Sequence, residues 1–168
     1  MKGEEIVVIK IKRILDGLIL SITGFFTLLL FLGAIWQVTS RYLLNTPSTF
    51  TEELLRFLLI WTSILGASYA FGSNQHLAIT FLKNRLKGKN KLVIRIINDL
   101  VIFVFAYLIM IRGGMEIVGT TMVQKTPILG IPMGIVYSIL PISGIIIIIY
   151  KLLLLTEYRE KIPVGEEQ

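Results

Sequence analysis

Apolar residues along the chain form four long blocks separated by short polar segments. The blocks cover about residues 17–40, 54–72, 92–111 and 133–155. Each block is long enough to cross a hydrocarbon core of about 30 Å as an α-helix, and the third can continue as helix to about Met122. The pattern therefore predicts an all-α integral membrane protein, with four transmembrane helices in a single four-helix membrane domain over residues 1–168.

The segment before the first block mixes Lys2, Lys10, Lys12 and Arg13 with isoleucine and valine. Two structures suit such a segment. One is a short amphipathic helix that lies at the membrane surface. The other is an extension of the first spanning helix beyond the lipid. The sequence leaves both alternatives open.

Proline residues mark two of the connections and one distortion. Pro47 disfavours helix just before it, so the first helix is expected to end near Asn45, and a hydroxyl side chain within residues 48–51 is expected to cap the second. A second Pro/Gly break covers residues 125–134. Pro141 lies inside the fourth block, where we expect a kink because proline cannot donate a backbone hydrogen bond.

Composition agrees with a membrane protein. Hydrophobic residues make up 54% of the chain, charged residues 17%, and the mean hydropathy is +0.77. Soluble domains carry about a quarter charged residues. The absence of cysteine excludes disulfides and thiolate metal sites. The net charge of +6 sits in clusters between the apolar blocks, which favours topology signals and lipid contacts over nucleic acid as a partner.

Lysine and arginine are concentrated on one side of the predicted bundle. The N-terminal segment has four of them, and the connection between the second and third blocks has six and no acid. The positive-inside rule therefore predicts that both termini and this basic connection are cytoplasmic, with the loops around Pro47 and Pro127 on the outer side. The basic residues expected to contact anionic lipid head groups are Lys83, Arg85, Lys87, Lys89 and Lys91.

Enzymatic chemistry has little support. The sole histidine, His76, has no second histidine or cysteine with which to form a metal site. No glycine-rich phosphate loop follows a strand, and no serine lies in a nucleophile elbow. We therefore predict no catalytic residue, no cofactor and no metal. A stand-alone homo-oligomeric channel or carrier is an alternative, although Arg56, Asp99 and Arg112 all lie near span ends and Asp99 is expected to pair with Arg95.

The start of the second block carries Glu52, Glu53 and Arg56 at spacings that allow an ion pair on a helix. One interpretation is a local, exposed pair contributing less than about 1 kcal/mol. The other is that these charges, with Arg41, bind another membrane subunit near the outer interface, where partial desolvation strengthens them. Small residues recur later in the same block and form a smooth stripe suited to close helix packing; they are Ser63, Gly66, Ala67 and Ala70.

Several segments together have a specific order: RYLLN, a Pro-containing loop, EELLRFLLIW, LGAS, His76 and then TPILGIPMGIVYSILPISG. This order resembles the small membrane subunit (DctQ-type) of tripartite ATP-independent periplasmic (TRAP) transporters, over nearly the whole chain. Two departures stand out. Phe50 occupies a position where many members have tryptophan, and Asn74 and Gln75 precede the histidine where a basic residue or glycine is common.

The resemblance implies an accessory subunit in the bacterial inner membrane. Its partners would be a large membrane subunit, which carries sodium and substrate, and a periplasmic binding protein that delivers an organic acid such as a dicarboxylate, a 2-oxo acid or sialic acid. The small subunit would be a scaffold clamped to the large one. The residues expected at that subunit interface are Arg41, Glu52, Glu53, Arg56, Trp61, Gly66, Ala67 and His76.

Overall fold

A computed structural model describes residues 2–72 and 89–161, which form helices and their connections. Helix α1 is Lys2–Tyr42 and α2 is Thr49–Gly72. Helix α3 is continuous and consists of α-helical Lys89–Val104, π-helical Phe105–Gly113 and α-helical Gly114–Thr121. Helix α4 has two parts, Met133–Tyr137 and Ile139–Lys161. Within these residues, four helices are long and apolar enough to span a membrane, which confirms the predicted all-α fold with four transmembrane helices.

Helix α4 lies at the centre of the bundle. It packs against α1, α2 and α3, whereas α1 packs mainly on α2, and α3 mainly on α4. In the most apolar stretch of α4, 44% of the residues are buried inside the protein, against 6% in α1. One apolar cluster joins α1, α2 and α4 through Ile19, Leu65, Ile139 and Tyr150, and a second joins α3 to α4 around Ala106, Met110 and Ile147. The other helices are therefore positioned by their contacts with α4.

Helix α1 is continuous from Lys2, so the N-terminal segment is an extension of the first span rather than a separate helix. Beyond the end of the helix, Asn45 adopts a left-handed conformation with φ of 53°, and the Thr46 N–H donates to the Ser40 carbonyl at 3.1 Å. Pro47 follows. Ser48 then precedes α2, and its carbonyl accepts the Glu52 N–H at 3.2 Å.

A kink was expected at Pro141, and α4 is interrupted at Ser138, three residues before this proline. Proline has no N–H, and its ring would clash with the carbonyl of a regular helix four residues earlier. The chain responds with a tighter turn, in which the Ser138 N–H donates to the Ile135 carbonyl at 3.3 Å. The Val136 carbonyl accepts instead from the Trp61 indole of α2 at 3.0 Å.

Two glycines allow the helices to approach α4 closely. A Cβ at Gly72 would overlap the ring of Tyr150, which is fully buried. A Cβ at Gly144 would lie 2.9 Å from the Met110 Cβ of α3. Such distances are shorter than ordinary van der Waals contact, so a larger residue at either position would force the helices apart.

The bundle has two ends, which are named here for reference. The Asp16 end contains Asp16, Gly72 and Tyr150, and the loop end contains the connections around Pro47 and Pro127. The charge distribution along the sequence predicts that the Asp16 end is cytoplasmic.

Candidate functional site

Glu53 is turned into the protein at the loop end and is only 5% exposed. Its Oε2 atom accepts hydrogen bonds from the backbone N–H groups of Ile128 and Leu129, at 3.0 and 2.9 Å. These residues belong to a tight turn that is closed by the Thr126 N–H, which donates to the Ile131 carbonyl at 2.9 Å. Glu53 therefore fastens the start of α2 to the connection between α3 and α4.

Glu52 points the other way. Its carboxylate lies 3.6 Å from the Arg56 guanidinium, and the two side chains are 48% and 66% exposed. In water such a pair would contribute less than about 1 kcal/mol. Arg41 is exposed as well, at the end of α1. Of the four charges predicted at the subunit interface, Glu52, Arg56 and Arg41 thus remain on the surface.

Trp61 also contacts the interior. Besides its hydrogen bond to Val136, its ring meets the Phe26 ring of α1 edge-on, with centroids 6.4 Å apart. Trp61 thus links α2 both to α1 and to α4. No local pattern predicts the hydrogen bond to Val136, because the two residues are 75 positions apart.

One side of α2 has no neighbour among the residues that the structure describes. Exposed residues recur there every three or four positions, and they are Glu52, Arg56, Leu59, Ser63 and Ala67. Ser63 lies near the middle of the helix, and its hydroxyl makes no hydrogen bond within the described part of the chain. Thr62 and Ser68, in contrast, donate to backbone carbonyls of the preceding turn at 2.7 and 2.9 Å.

This exposed side continues onto α1. The Thr23 methyl group would lie 4.0 Å from a Cβ at Gly66, so these residues mark where the two helices meet. Thr27 lies one helical turn after Thr23, and Ser63 lies one turn before Gly66. Thr27 and Ser63 are both exposed, next to the place where the two helices meet. Further small residues are exposed along α1; Ala34 follows Thr27 by seven positions, and Gly17 and Gly24 precede it by ten and three. We call this combined surface of α1 and α2 the open face.

Two hydrogen-bonded pairs hold the Asp16 end together. The Tyr150 hydroxyl donates to the Asp16 carboxylate at 2.5 Å, which joins α4 to α1. The Lys151 ammonium lies 2.7 Å from the Asp99 carboxylate, which joins α4 to α3. Asp99 was expected to pair with Arg95, whose side chain lies outside the described part of the structure. The Lys151 side chain is only 8% exposed, and a charge removed from water in this way requires an opposite charge nearby.

Several predicted residues are not placed. His76, Lys83, Arg85 and Lys87 lie outside the described residues, and Lys89 and Lys91 are in the first turn of α3. Over residues 2–72 and 89–161, the structure contains no group of three or more side chains able to hold a metal ion.

An apolar groove of about 190 Å³ lies at the loop end between α2 and the start of α4. Leu54, Phe57 and Ile135 are among the residues that line it, and its accessible lining is entirely apolar. It therefore offers no polar group to hold a charged solute.

Comparison with known proteins points to one family. The family described as "Tripartite ATP-independent periplasmic transporters, DctQ component" matches residues 17–158. A TRAP transporter small permease protein of Haemophilus influenzae is 34% identical over 137 residues, which cover 82% of each chain. The sialic acid TRAP transporter small permease protein SiaQ of Vibrio cholerae is 32% identical over 78 residues, 46% of this chain and 45% of that protein.

A third relative is much longer. The sialic acid TRAP transporter permease protein SiaT of Haemophilus influenzae is 31% identical over 72 residues. These residues are 43% of this chain and only 12% of that protein. A segment similar to this chain thus occurs inside a far larger permease chain.

Replacing Glu53 should loosen the loop end. Glu53→Ala leaves two backbone N–H groups without their acceptor, at a cost of about 1–3 kcal/mol for each that stays buried. We expect a lower thermal unfolding temperature in detergent and faster amide hydrogen exchange at Ile128 and Leu129. Glu52→Ala is the matched control and should change neither quantity. Equal effects of the two substitutions would contradict the role given to Glu53.

The Lys151–Asp99 pair can be tested by a double-mutant cycle. Lys151→Met alone leaves a partly buried carboxylate without its cation and should destabilise the chain by about 3–5 kcal/mol. Adding Asp99→Leu should restore most of the lost stability, because both charges are then absent. The measurement is the thermal unfolding of the three variants and the parent in detergent. Additive losses in the double variant would show that the two side chains do not interact.

Proposed function

The chain belongs to the DctQ family of small membrane subunits of TRAP transporters, and on that premise we propose that it is the scaffold subunit of a sodium-coupled, binding-protein-dependent transporter of organic acids. It is a transporter component and not an enzyme. The observation that carries the scaffold role is the open face, on which small and polar residues are exposed together with Leu59, on helices that are otherwise apolar outside.

A large membrane subunit is the partner that the relatives support. The segment of SiaT that matches this chain makes up 12% of the SiaT protein. In SiaT, a segment related to this chain is therefore covalently joined to a much larger permease. A small subunit encoded separately would need a non-covalent surface to replace that covalent connection. The open face is the part of the described bundle best suited to this contact.

Lipid would be a poor occupant of the open face. The Ser63 hydroxyl would lie in hydrocarbon with no hydrogen-bond partner, which is unfavourable for a polar group. Small residues such as Gly24 and Ala67 let a neighbouring helix approach closely and gain dispersion contacts. The exposed surface of α3 is different, since it carries large apolar residues such as Leu108 and Ile109, which suit lipid. The large subunit would therefore pack on α1 and α2.

Charged residues would position the loop end of this contact. Glu52, Arg56 and Arg41 are exposed there and would pair with side chains of the large subunit. Glu53 and Trp61 would act indirectly, because they hold α2 against α4 and so fix where the exposed charges lie. Gly66 and Ala67 would line the same contact nearer the middle of the membrane.

The substrate class rests on the relatives. Two of them are named for sialic acid, a carboxylic acid, and we propose an organic acid of the sialic acid, dicarboxylate or 2-oxo acid type for this transporter. The transporter would lie in the bacterial inner membrane, with the basic connection facing anionic lipids at about 1 kcal/mol per nearby cation. The loops around Pro47 and Pro127 would face the periplasmic binding protein.

The open face can be tested by co-purification with the large subunit after coexpression. Arg56→Glu reverses an exposed charge, and Ser63→Phe places a ring where helices should meet, so each should reduce both the recovered large subunit and substrate uptake. The matched controls, Arg112→Glu and Leu108→Phe, change exposed residues of α3 and should leave recovery unchanged. Loss of uptake with full recovery of the large subunit would contradict the scaffold role.

A further inference from the structure

Arg112 lies farther from the end of its helix than was expected from the sequence. The apolar run of α3 ends at Ile111, but the helix continues to Thr121, nine positions after Arg112. At about 1.5 Å per residue, Arg112 is about 13 Å from the end of the helix. Long basic side chains reach the membrane surface when they lie close to a helix end, and Arg112 does not.

Contacts with α4 give the depth of Arg112. The α3 residues two positions before and two positions after it lie against Gly144 and Pro141 of α4, respectively. Arg112 is therefore level with the segment between those two residues. The candidate membrane span of α4 is Met133–Leu154, and its centre falls in the same segment. Arg112 thus lies near the middle of the bilayer, and Glu116 is one helical turn closer to the loop end.

Arg112 and Glu116 point away from the bundle. The α3 residues that face α4 are buried and recur every four positions; they are Ile102, Ala106, Met110 and Gly114. Arg112 and Glu116 lie two positions before and after Gly114, so both are on the opposite side of the helix, and both are exposed. Among the residues that the structure describes, neither side chain has an ion-pair or hydrogen-bond partner.

Hydrocarbon is a poor surrounding for these two side chains, although it suits the large apolar residues of α3. Charged residues inside membrane spans are rare, and they face protein or a water-filled cavity. A guanidinium has five N–H donors, so a pair between Arg112 and Glu116 of one helix would leave several donors unbonded in lipid. The two charges therefore indicate that protein covers this side of α3.

The open face lies elsewhere on the bundle. Helix α3 packs mainly on α4, and α4 separates it from α1 and α2. Arg112 and Glu116 are on the side of α3 that faces away from α4. A large subunit packed on α1 and α2 is thus separated from these charges by α4 and by α3 itself. The outer side of α3 needs a partner of its own.

We propose that this partner is a second copy of the chain, in the same orientation in the membrane. The outer side of α3 is self-complementary, because it carries one charge of each sign, one helical turn apart. In a two-fold pair, each Arg112 would extend along the helix to Glu116 of the other copy, so that two identical ion pairs form. Gly119 is exposed on the same side, and it has no side chain to keep the second helix at a distance.

This contact goes beyond the proposed function. It would join two transporters through their small subunits, and it uses none of the residues assigned to the large subunit. The two interfaces can therefore be broken separately.

A charge exchange between two copies tests the proposal. Two differently tagged copies are expressed with the large subunit, and the measurement is recovery of one tag with the other from membranes. Arg112→Glu places two acids on each copy and Glu116→Arg two bases, so either variant alone should lower recovery at least about tenfold, because like charges then face each other. Mixing the two variants recreates both ion pairs and should restore the recovery of the parent.

The matched control is Lys125→Glu, which reverses an exposed charge in the connection after α3 and should have no effect. Unchanged recovery with the single variants, or a mixture that fails to restore it, would overturn the proposal. Loss of the large subunit with either single variant would also overturn it, because the large subunit would then be the partner on this side. If pairing is unaffected while Arg56→Glu still releases the large subunit, this inference fails and the proposed function stands.

Disulfide crosslinking gives an independent measurement, because the chain contains no cysteine. Gly119→Cys should crosslink two copies under mild oxidation at least about tenfold faster than Ile145→Cys on α4, since a disulfide requires Cα atoms within about 7 Å. Ile145 is 49% exposed and lies outside the proposed contact. Equal crosslinking from the two positions would overturn the proposal.

Discussion

In a bilayer, a polar side chain must find its partner within protein, because hydrocarbon offers none. Helix α4 meets this requirement by polar contacts at both of its ends. At the loop end, its Val136 carbonyl accepts from Trp61, and Glu53 holds the connection that leads into it. At the Asp16 end, Tyr150 and Lys151 bond to Asp16 and Asp99. These contacts fix α4 against all three other helices, and the rest of the fold depends on them.

A bundle held in this way is suited to support and poorly suited to passage. Glu53, Trp61, Tyr150 and Lys151 use their polar groups to join helices or the loop between them, and the groove at the loop end has an apolar lining. Other polar groups lie on the outside. The open face carries small residues, the Glu52–Arg56 pair and the Ser63 hydroxyl, which bonds to no group in the described part of the chain. The internal contacts and the external surface are connected, because Glu52 and Glu53 are neighbours on α2, and one is exposed whereas the other is buried.

The fold could be predicted from the sequence because its determinants are local. Runs of apolar residues give the helices, Pro47 and Asn45 give a turn, and Pro141 gives the break at Ser138. The contacts between helices could not be predicted in the same way. Asp99 and Lys151 are 52 positions apart, and Asp16 and Tyr150 are 134 apart, so each pair depends on how the helices pack. One feature of the sequence could have predicted the pair with Asp99: Lys151 lies between the apolar runs IIIIIY and LLLL. A lysine inside such a run needs a buried partner of opposite charge. Glu52 and Glu53 are adjacent on α2, and adjacent residues of an α-helix point in directions about 100° apart. The two carboxylates were therefore not expected to face the same partner.

The central claim is that this chain supports a transporter and does not itself conduct. The most direct measurement is solute uptake and ion current in liposomes that contain the purified chain alone, compared with liposomes that also contain the large subunit and are supplied with the binding protein and a sodium gradient. The account predicts no uptake and no current with the chain alone, and uptake with the complete set. Uptake or current with the chain alone would contradict it.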